Sequence, residues 1–273
     1  MSNSKKKVVL VTGASAGIGK SIVRQLLSDD WIVYGAARRV EKMADIQSEG
    51  AKTLLLDVTD EDSMQAAVKT MLDTEGHIDA LVNNAGYGSY GALEDVPIIE
   101  AKRQFEVNVF GLIRLTQLVL PSMREARLGT IVNISSMGGR IWMPIGGWYH
   151  ATKHAVEVLS DTLRMETRPF GIRVVVVQPG AIQSEWSGIA ASTLLEHSKN
   201  SVYRDRVDPM ARLLGDYPNA ASPRVVAKAV SKALNSHNPR RRYATPMDAK
   251  LLIFLRWLLP DWAWERLISS AIT

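Results

Sequence analysis

The chain has 273 residues, 46% hydrophobic and 22% charged, which suits one large α/β unit with a substantial core. It contains no cysteine, which excludes disulfides, thiolate metal sites and a cysteine nucleophile. The formal charge of +5 comes from scattered basic residues with one tight cluster at Arg240, Arg241 and Arg242, so nucleic acid is not an expected partner.

Along the chain, Lys5, Lys6 and Lys7 end a polar start that lacks an apolar signal core, so a basic tail over residues 1–7 and a cytoplasmic address are expected. Residues 8–11 are a short apolar run ending at Thr12-Gly13 and read as a buried strand. Residues 18–27 have helical spacing, with Ile22, Val23, Leu26 and Leu27 apolar. Strands follow at 31–37 and 53–56, a helix at 60–72, and a strand at 80–82. The second half continues with a long helix at 105–123, a strand at 130–134 and a helix at 149–168. The run 174–177 is so apolar that both faces must be covered, as helices on a parallel sheet achieve. A helix at 223–234 and a short strand at 241–244 close the alternation. No linker or repeat interrupts it. The pattern predicts a single doubly wound, Rossmann-type unit over 1–273, with about seven parallel strands and helices on both faces. Substrate loop and helices are expected at 184–216 and a C-terminal helical extension at 247–273.

Between the first strand and helix lies Thr12-Gly13-Ala14-Ser15-Ala16-Gly17-Ile18-Gly19. Its glycines permit a tight turn, and the following helix offers free N–H groups and a positive dipole end to a pyrophosphate. The spacing is neither GxGxxG nor that of a triphosphate loop. Taken with the downstream motifs described next, this TGxxxGxG form resembles the short-chain dehydrogenase/reductase family.

After the second strand the chain reads Ala36-Ala37-Arg38-Arg39. An NAD site wants an acid here for the ribose 2′-hydroxyl. A small neutral Ala37 followed by a guanidinium suits a 2′-phosphate instead. Ser15 offers a further donor, and NADP(H) is expected over NAD(H). Many NADP-preferring members carry a basic residue where this chain has Ala16. The resemblance places Asp57 and Val58 at the adenine, and Asn83-Asn84-Ala85-Gly86 beside the adenosine ribose. Taken alone, Asp57 equally suits a helix cap.

Tyr149-His150-Ala151-Thr152-Lys153 is a YxxxK motif opening a helix, and four residues place Tyr149 and Lys153 on one face. A free phenol has a pKa of about 10, and a nearby ammonium favours the phenolate. Ser136 ends a strand thirteen residues earlier, the spacing of the family's catalytic serine, where a hydroxyl stabilises developing alkoxide character. Ser135 is the alternative, pointing to the other face if the strand persists. Asn108 matches the family's catalytic asparagine, which implies an ordered water leading protons from Tyr149 through Lys153. As a lone residue it reads as a satisfied core amide. Pro179-Gly180-Ala181-Ile182 resembles the family's PG motif beside the nicotinamide, with Ser184 in the usual threonine position.

His150 and His154 raise a hydrolase reading with Ser136, but no GxSxG accompanies it, and no HExxH or other metal spacing exists. The expected substrate lining is Met137, Trp142, Met143, Trp148 and Trp186, with Tyr87 nearby, favouring apolar or aromatic carbonyl compounds and alcohols. The apolar run 251–259, broken by Arg256, reads as lid, subunit contact or membrane-surface helix, the last not favoured. The tail resembles the 17β-hydroxysteroid-dehydrogenase-like and retinol-dehydrogenase-like branch. The resemblance implies a homodimer or homotetramer paired through the helices at 105–123 and 149–168. An oxidoreductase moving hydride between NADP(H) and a carbonyl or alcohol is thus expected. A dehydratase, an epimerase or a non-catalytic NADP sensor are the alternatives.

Overall fold

The structure, a computed structural model, describes residues 6–215 and 220–272. The start of the expected tail, through Lys5, and the far ends of the 184–216 and 247–273 segments lie outside the described residues. In chain order the elements are β1 (Val8–Thr12), α1 (Gly17–Ser28), β2 (Ile32–Ala37), α2 (Ala44–Ser48), β3 (Lys52–Leu55), α3 (Glu61–Glu75), β4 (Ala80–Asn83) and α4 (Ile98–Phe105). There follow α5 (Gly111–Ala126), β5 (Gly129–Ile134), α6 (Gly147–Thr167), β6 (Ile172–Pro179), α7 (Glu185–His197), α8 (Arg204–Gly215), α9 (Arg224–Asn235), β7 (Arg242–Thr245), α10 (Met247–Leu258) and α11 (Asp261–Ile272). Among the described residues no helix is long and apolar enough to cross a membrane.

The strands form one parallel sheet in the order β3-β2-β1-β4-β5-β6-β7. Every residue of β1 is buried, and its side chains alternate between two cores. Val9 and Val11 join Ile22, Val23 and Leu26 of α1 and Val226 and Val230 of α9. Val8 and Leu10 join Met64, Val68 and Met71 of α3 and Leu115 and Val119 of α5. Trimming one such leucine to alanine costs about 2–5 kcal/mol, because the close-packed layers collapse only partly around the void. The chain runs outward from β1 to β3, then returns to start β4 on the other side of β1. Such a reversal opens a crevice at the carboxyl ends of the strands, and every expected site segment leaves the sheet at that edge.

Two local differences from the sequence expectation have clear causes. The cap of α3 is Asp60, whose carboxylate accepts from Ser63 N at 2.9 Å, and Gly76 (φ +76°) ends the helix. Asp57 instead folds onto Thr59, accepting from its N at 3.0 Å and its Oγ1 at 2.8 Å. The helix expected over 105–123 begins earlier, at Ile98, and is divided by a π-helical turn at Glu106–Phe110. Such turns insert a residue and re-aim side chains, and Asn108 is the residue re-aimed here.

A buried polar layer fixes the middle of the sheet. Asn83 Nδ2 donates to Thr116 Oγ1 at 3.0 Å and Asn133 Oδ1 at 2.9 Å, and Asn133 Nδ2 donates to Ser160 Oγ at 2.8 Å. Each of these contacts joins different elements, so β4, β5, α5 and α6 are locked in one register. Losing a partner would leave a buried amide unsatisfied at a cost of about 1–3 kcal/mol.

Candidate active site

The crevice is a cleft of about 730 Å³ that runs from the phosphate loop to Tyr149. At one end Gly13 takes φ +66°, and a Cβ on Gly19 would lie 2.1 Å from Gly13 O. Only glycine allows this approach, which points the N-terminus of α1 into the cleft. Asn84 clamps the turn: its Nδ2 donates to Thr12 O at 2.9 Å and Gly13 O at 3.3 Å. Gly13, Ser15, Gly17, Ile18 and Gly19 all line the cleft, as do Asp57, Val58, Asn84, Ala85 and Gly86 and, opposite, Pro179, Gly180, Ile182 and Ser184. A length of lined groove beside unshielded helix N–H groups fits a dinucleotide.

Arg38 and Arg39 stand at the cleft rim and differ in their partners. Arg38 is largely exposed, with Nη1 4.0 Å from Asp57 Oδ2. Arg39 Nη2 lies 3.3 Å from Ser15 Oγ and 3.0 Å from Glu185 Oε2. The Arg39 guanidinium, followed by Lys42, holds the Glu185 carboxyl below the usual range. The N-terminal residue of α7 thus reaches over the phosphate loop, which sequence motifs did not signal.

At the other end α6 presents Tyr149 and Lys153 on one face, the ammonium 5.9 Å from the phenol ring centre. Lys153 Nζ donates to Ile134 O at 3.0 Å. Burial pulls Lys153 down to about 8, with Glu157 one turn further along opposing the shift. Ser136 Oγ accepts from Gly138 N at 3.0 Å. That contact uses an oxygen lone pair and leaves the hydroxyl proton free to donate. Ser135 Oγ lies on the other side of the segment, buried against Gly139. His150 braces the same loop with Nδ1 3.0 Å from Gly138 O. A carbonyl can only accept, so Nδ1 carries the proton. Burial lowers His150 to about 4, so the ring is neutral at ordinary pH. A buried neutral ring bound to the backbone is a brace, and its Nε2 hydrogen-bonds no hydroxyl among the described residues.

Asn108 lies behind the cleft wall. Its Oδ1 accepts from Tyr87 N at 3.0 Å, and its Nδ2 donates to Tyr87 O at 2.9 Å and Thr152 Oγ1 at 3.1 Å. A Cβ on Gly86 would sit 2.9 Å from Asn108 Oδ1 and 3.8 Å from Lys153 Nζ, so glycine keeps the space between these two polar ends open.

Of the expected substrate residues, Met137, Met143 and Trp186 line the cleft. Trp186 packs 5.1 Å from the Tyr149 ring. Trp142 and Trp148 do not line it. The Trp142 ring is covered by Arg256 at 3.9 Å, and Trp148 packs edge-on against Phe105 at 6.5 Å. Tyr87 borders the cleft with its hydroxyl on Glu100 at 3.0 Å. Tyr90, Thr193 and His197 line it as well and were not anticipated. Tyr90 lies 5.5 Å from Tyr149 and 5.9 Å from Trp186, forming an aromatic wall.

Comparison with known proteins agrees with this architecture. The short chain dehydrogenase family model matches residues 7–193, and the chain belongs to the short-chain dehydrogenase/reductase family. A probable short-chain type dehydrogenase/reductase, VdlC of Helicobacter pylori, is 34% identical over 97% of each chain. The 3-ketodihydrosphingosine reductase of Bacteroides thetaiotaomicron is 35% identical over 93% of this chain and 94% of that one. The NADPH-dependent 3-dehydrocapnine reductase of Ornithobacterium rhinotracheale is 32% identical over 93% of each. A solved short-chain dehydrogenase from Streptomyces avermitilis superposes with a TM-score of 0.81 at 35% identity, covering 94% of this chain and 97% of that one. A serine dehydrogenase solved with NADP+ gives 0.76 at 27% identity over 88% and 95%. A Burkholderia phymatum member solved with NAD gives 0.79 at 24% identity over 94% and 95%. The chain is therefore an oxidoreductase of this family, and the family uses a nicotinamide cofactor.

Proposed function

We propose that the enzyme is an NADP(H)-preferring carbonyl reductase and alcohol dehydrogenase for apolar or aromatic substrates, with Tyr149 as its acid/base. The observation that carries the reading is the buried Lys153 ammonium one helical turn from Tyr149, in the same cleft as the phosphate loop. Gly13, Ser15, Gly17, Ile18 and Gly19 would hold the pyrophosphate, and Asp57, Val58, Asn84, Ala85 and Gly86 the adenosine. Pro179, Gly180, Ile182 and Ser184 would hold the nicotinamide, which when bound supplies or accepts the hydride. Arg38 and Arg39, with no acid at Ala37, suit a 2′-phosphate.

In reduction, Ser136 Oγ–H donates to the substrate oxygen while Gly138 N–H holds the serine from behind. Tyr149 gives its proton to the same oxygen as negative charge develops there. The phenolate left behind is stabilised by Lys153, and Asn108, across the Gly86 gap, lies on the route by which the proton is restored. Met137, Met143, Trp186 and the Tyr90 ring exclude water and favour an apolar or aromatic group. Two relatives are reductases by name, of a 3-keto and a 3-dehydro compound, and the second is NADPH-dependent. Tyr149→Phe tests the assignment. NADPH binding, followed by nicotinamide fluorescence, should stay within a few-fold of wild type while most turnover on a carbonyl panel is lost. Turnover within a few-fold of wild type would remove Tyr149 from the mechanism.

A further inference from the structure

Helix α10, the last but one of the fold, is apolar on two sides, and only one is accounted for by the fold. Ala249 is fully buried, and Leu252 and Leu255 pack on the cluster that contains Tyr90 and Tyr149. On the opposite side, Met247, Leu251, Phe254, Trp257 and Leu258 are each more than half exposed. At 3.6 residues per turn these five positions fall within an arc of about 120°. The Phe254 and Trp257 rings lie 6.0 Å apart, and Trp262, more than two-thirds exposed, follows at the start of α11. Five large apolar side chains presented together to water on one helix face mark a surface that something covers.

We infer that this face docks on the surface of an anionic lipid bilayer. Charge supports that occupant. Lys250 is the one charged residue within the arc, and the acids at the two ends of α10 are engaged elsewhere. Asp248 accepts from Ala181 N at 3.0 Å, and Asp261 pairs with Arg256 at 2.6 Å. A lysine at the edge of an apolar face can lay its stem along it and reach a lipid phosphate with its ammonium. The exposed indoles of Trp257 and Trp262 suit the boundary between headgroups and acyl chains. Twelve residues at 1.5 Å rise make a helix of roughly 18 Å, too short to span a bilayer but suited to lying in its surface. The buried side of the same helix packs on the cluster around Tyr149, so docking would hold the cleft close to the membrane. The docking stands on the exposed face alone and does not depend on the catalytic reading.

The test is co-sedimentation of the full-length enzyme with phosphatidylcholine vesicles, with and without about one-third phosphatidylserine. Wild type should pellet with the anionic vesicles and show a blue shift in tryptophan emission. Phe254→Ser combined with Trp257→Ser should weaken vesicle binding at least tenfold while turnover of a water-soluble carbonyl compound stays at the wild-type level. Lys250→Glu should weaken binding to the anionic vesicles and leave folding and turnover untouched. No binding to either vesicle would overturn the inference. So would a double variant that binds vesicles as wild type does, or one that falls from oligomer to monomer in light scattering with vesicle binding unchanged.

Discussion

Lys153 should destabilise the cofactor-free enzyme that it serves, and Lys153→Met makes this measurable. Burial lowers its pKa from 10.5 to about 8. Each unit corresponds to 1.36 kcal/mol, so the buried charge costs on the order of 3 kcal/mol at pH 7. Methionine has a similar length and no charge, and it forfeits the charge-assisted hydrogen bond to Ile134 O, worth about 1.5–3 kcal/mol. The variant should therefore unfold at the same or higher urea, with a gain of up to about 1.5 kcal/mol at pH 7, and lose most of its turnover. The pH dependence has a definite sign. Below about pH 8 both folded and unfolded lysine are charged, and the full penalty applies. Between about 8 and 10.5 the folded protein gives up its proton first and the penalty fades. Above that window only the lost hydrogen bond remains, and wild type becomes the more stable of the two. Urea unfolding followed by tryptophan fluorescence at pH 7 and 10.5 measures both ends. A variant less stable than wild type at pH 7, or a difference that does not change with pH, would refute the reasoning.

Arg38→Asp should weaken NADP(H) about ten- to a hundredfold, the loss of one charge-assisted hydrogen bond, and move preference towards NAD(H). Because Arg39 also stands at the rim, beside Ser15, the double change should move the kcat/KM ratio further. An unmoved ratio would make both arginines surface charges. His150 binds its proton at about pH 6.5 when unfolded and only at about 4 when folded, so wild type should lose stability as pH falls through that window. His150→Asn should flatten that slope in acid unfolding curves, and an unchanged slope would place the acid sensitivity elsewhere. A dimer or tetramer is expected by light scattering at micromolar concentration. Val158 and Met165 are exposed on α6, and Val158→Glu with Met165→Glu should yield monomer if that face pairs. A wild-type monomer would count against the pairing.

What could be read from sequence was the part written in short, local motifs. The phosphate loop is contiguous because a tight turn into a helix is a local object. Tyr149 and Lys153 share a face because helical periodicity alone puts them there. The aromatic lining was harder, since side-chain direction depends on what packs opposite. Trp148 is next to Tyr149 in the chain, yet one residue along a helix is a rotation of about 100°, which turns it onto Phe105. Trp142 is drawn away by α10 and α11, its ring under Arg256 and its carbonyl accepting from Trp264 Nε1 at 3.1 Å. Tyr90, Thr193 and His197 carry no motif and meet only because α7 folds back over the cleft. The π turn at Asn108 was invisible for the same reason: the partners that hold it, Tyr87 and Thr152, come from distant segments.

The charge pattern of α6 ties the chemistry to the edge of the sheet. Tyr149, Lys153, Glu157 and Asp161 recur at four-residue spacing and form one ladder along the helix. Lys153 faces the cleft, and Glu157 below it is almost fully buried. An unpaired carboxylate there would be costly, but Arg242 of β7 pairs with it at 2.8 Å and Gln178 donates to it at 3.0 Å. The same guanidinium reaches Asp161 at 2.5 Å. Arg242 and Gln178 therefore satisfy the buried acid that lies one turn from Lys153. The last strand thus supplies the counter-charge for the acid one turn along the same helix face from Lys153. The segment that follows it, α10, packs on the apolar cluster around Tyr149, so both ends of this helix face meet the C-terminal part of the chain.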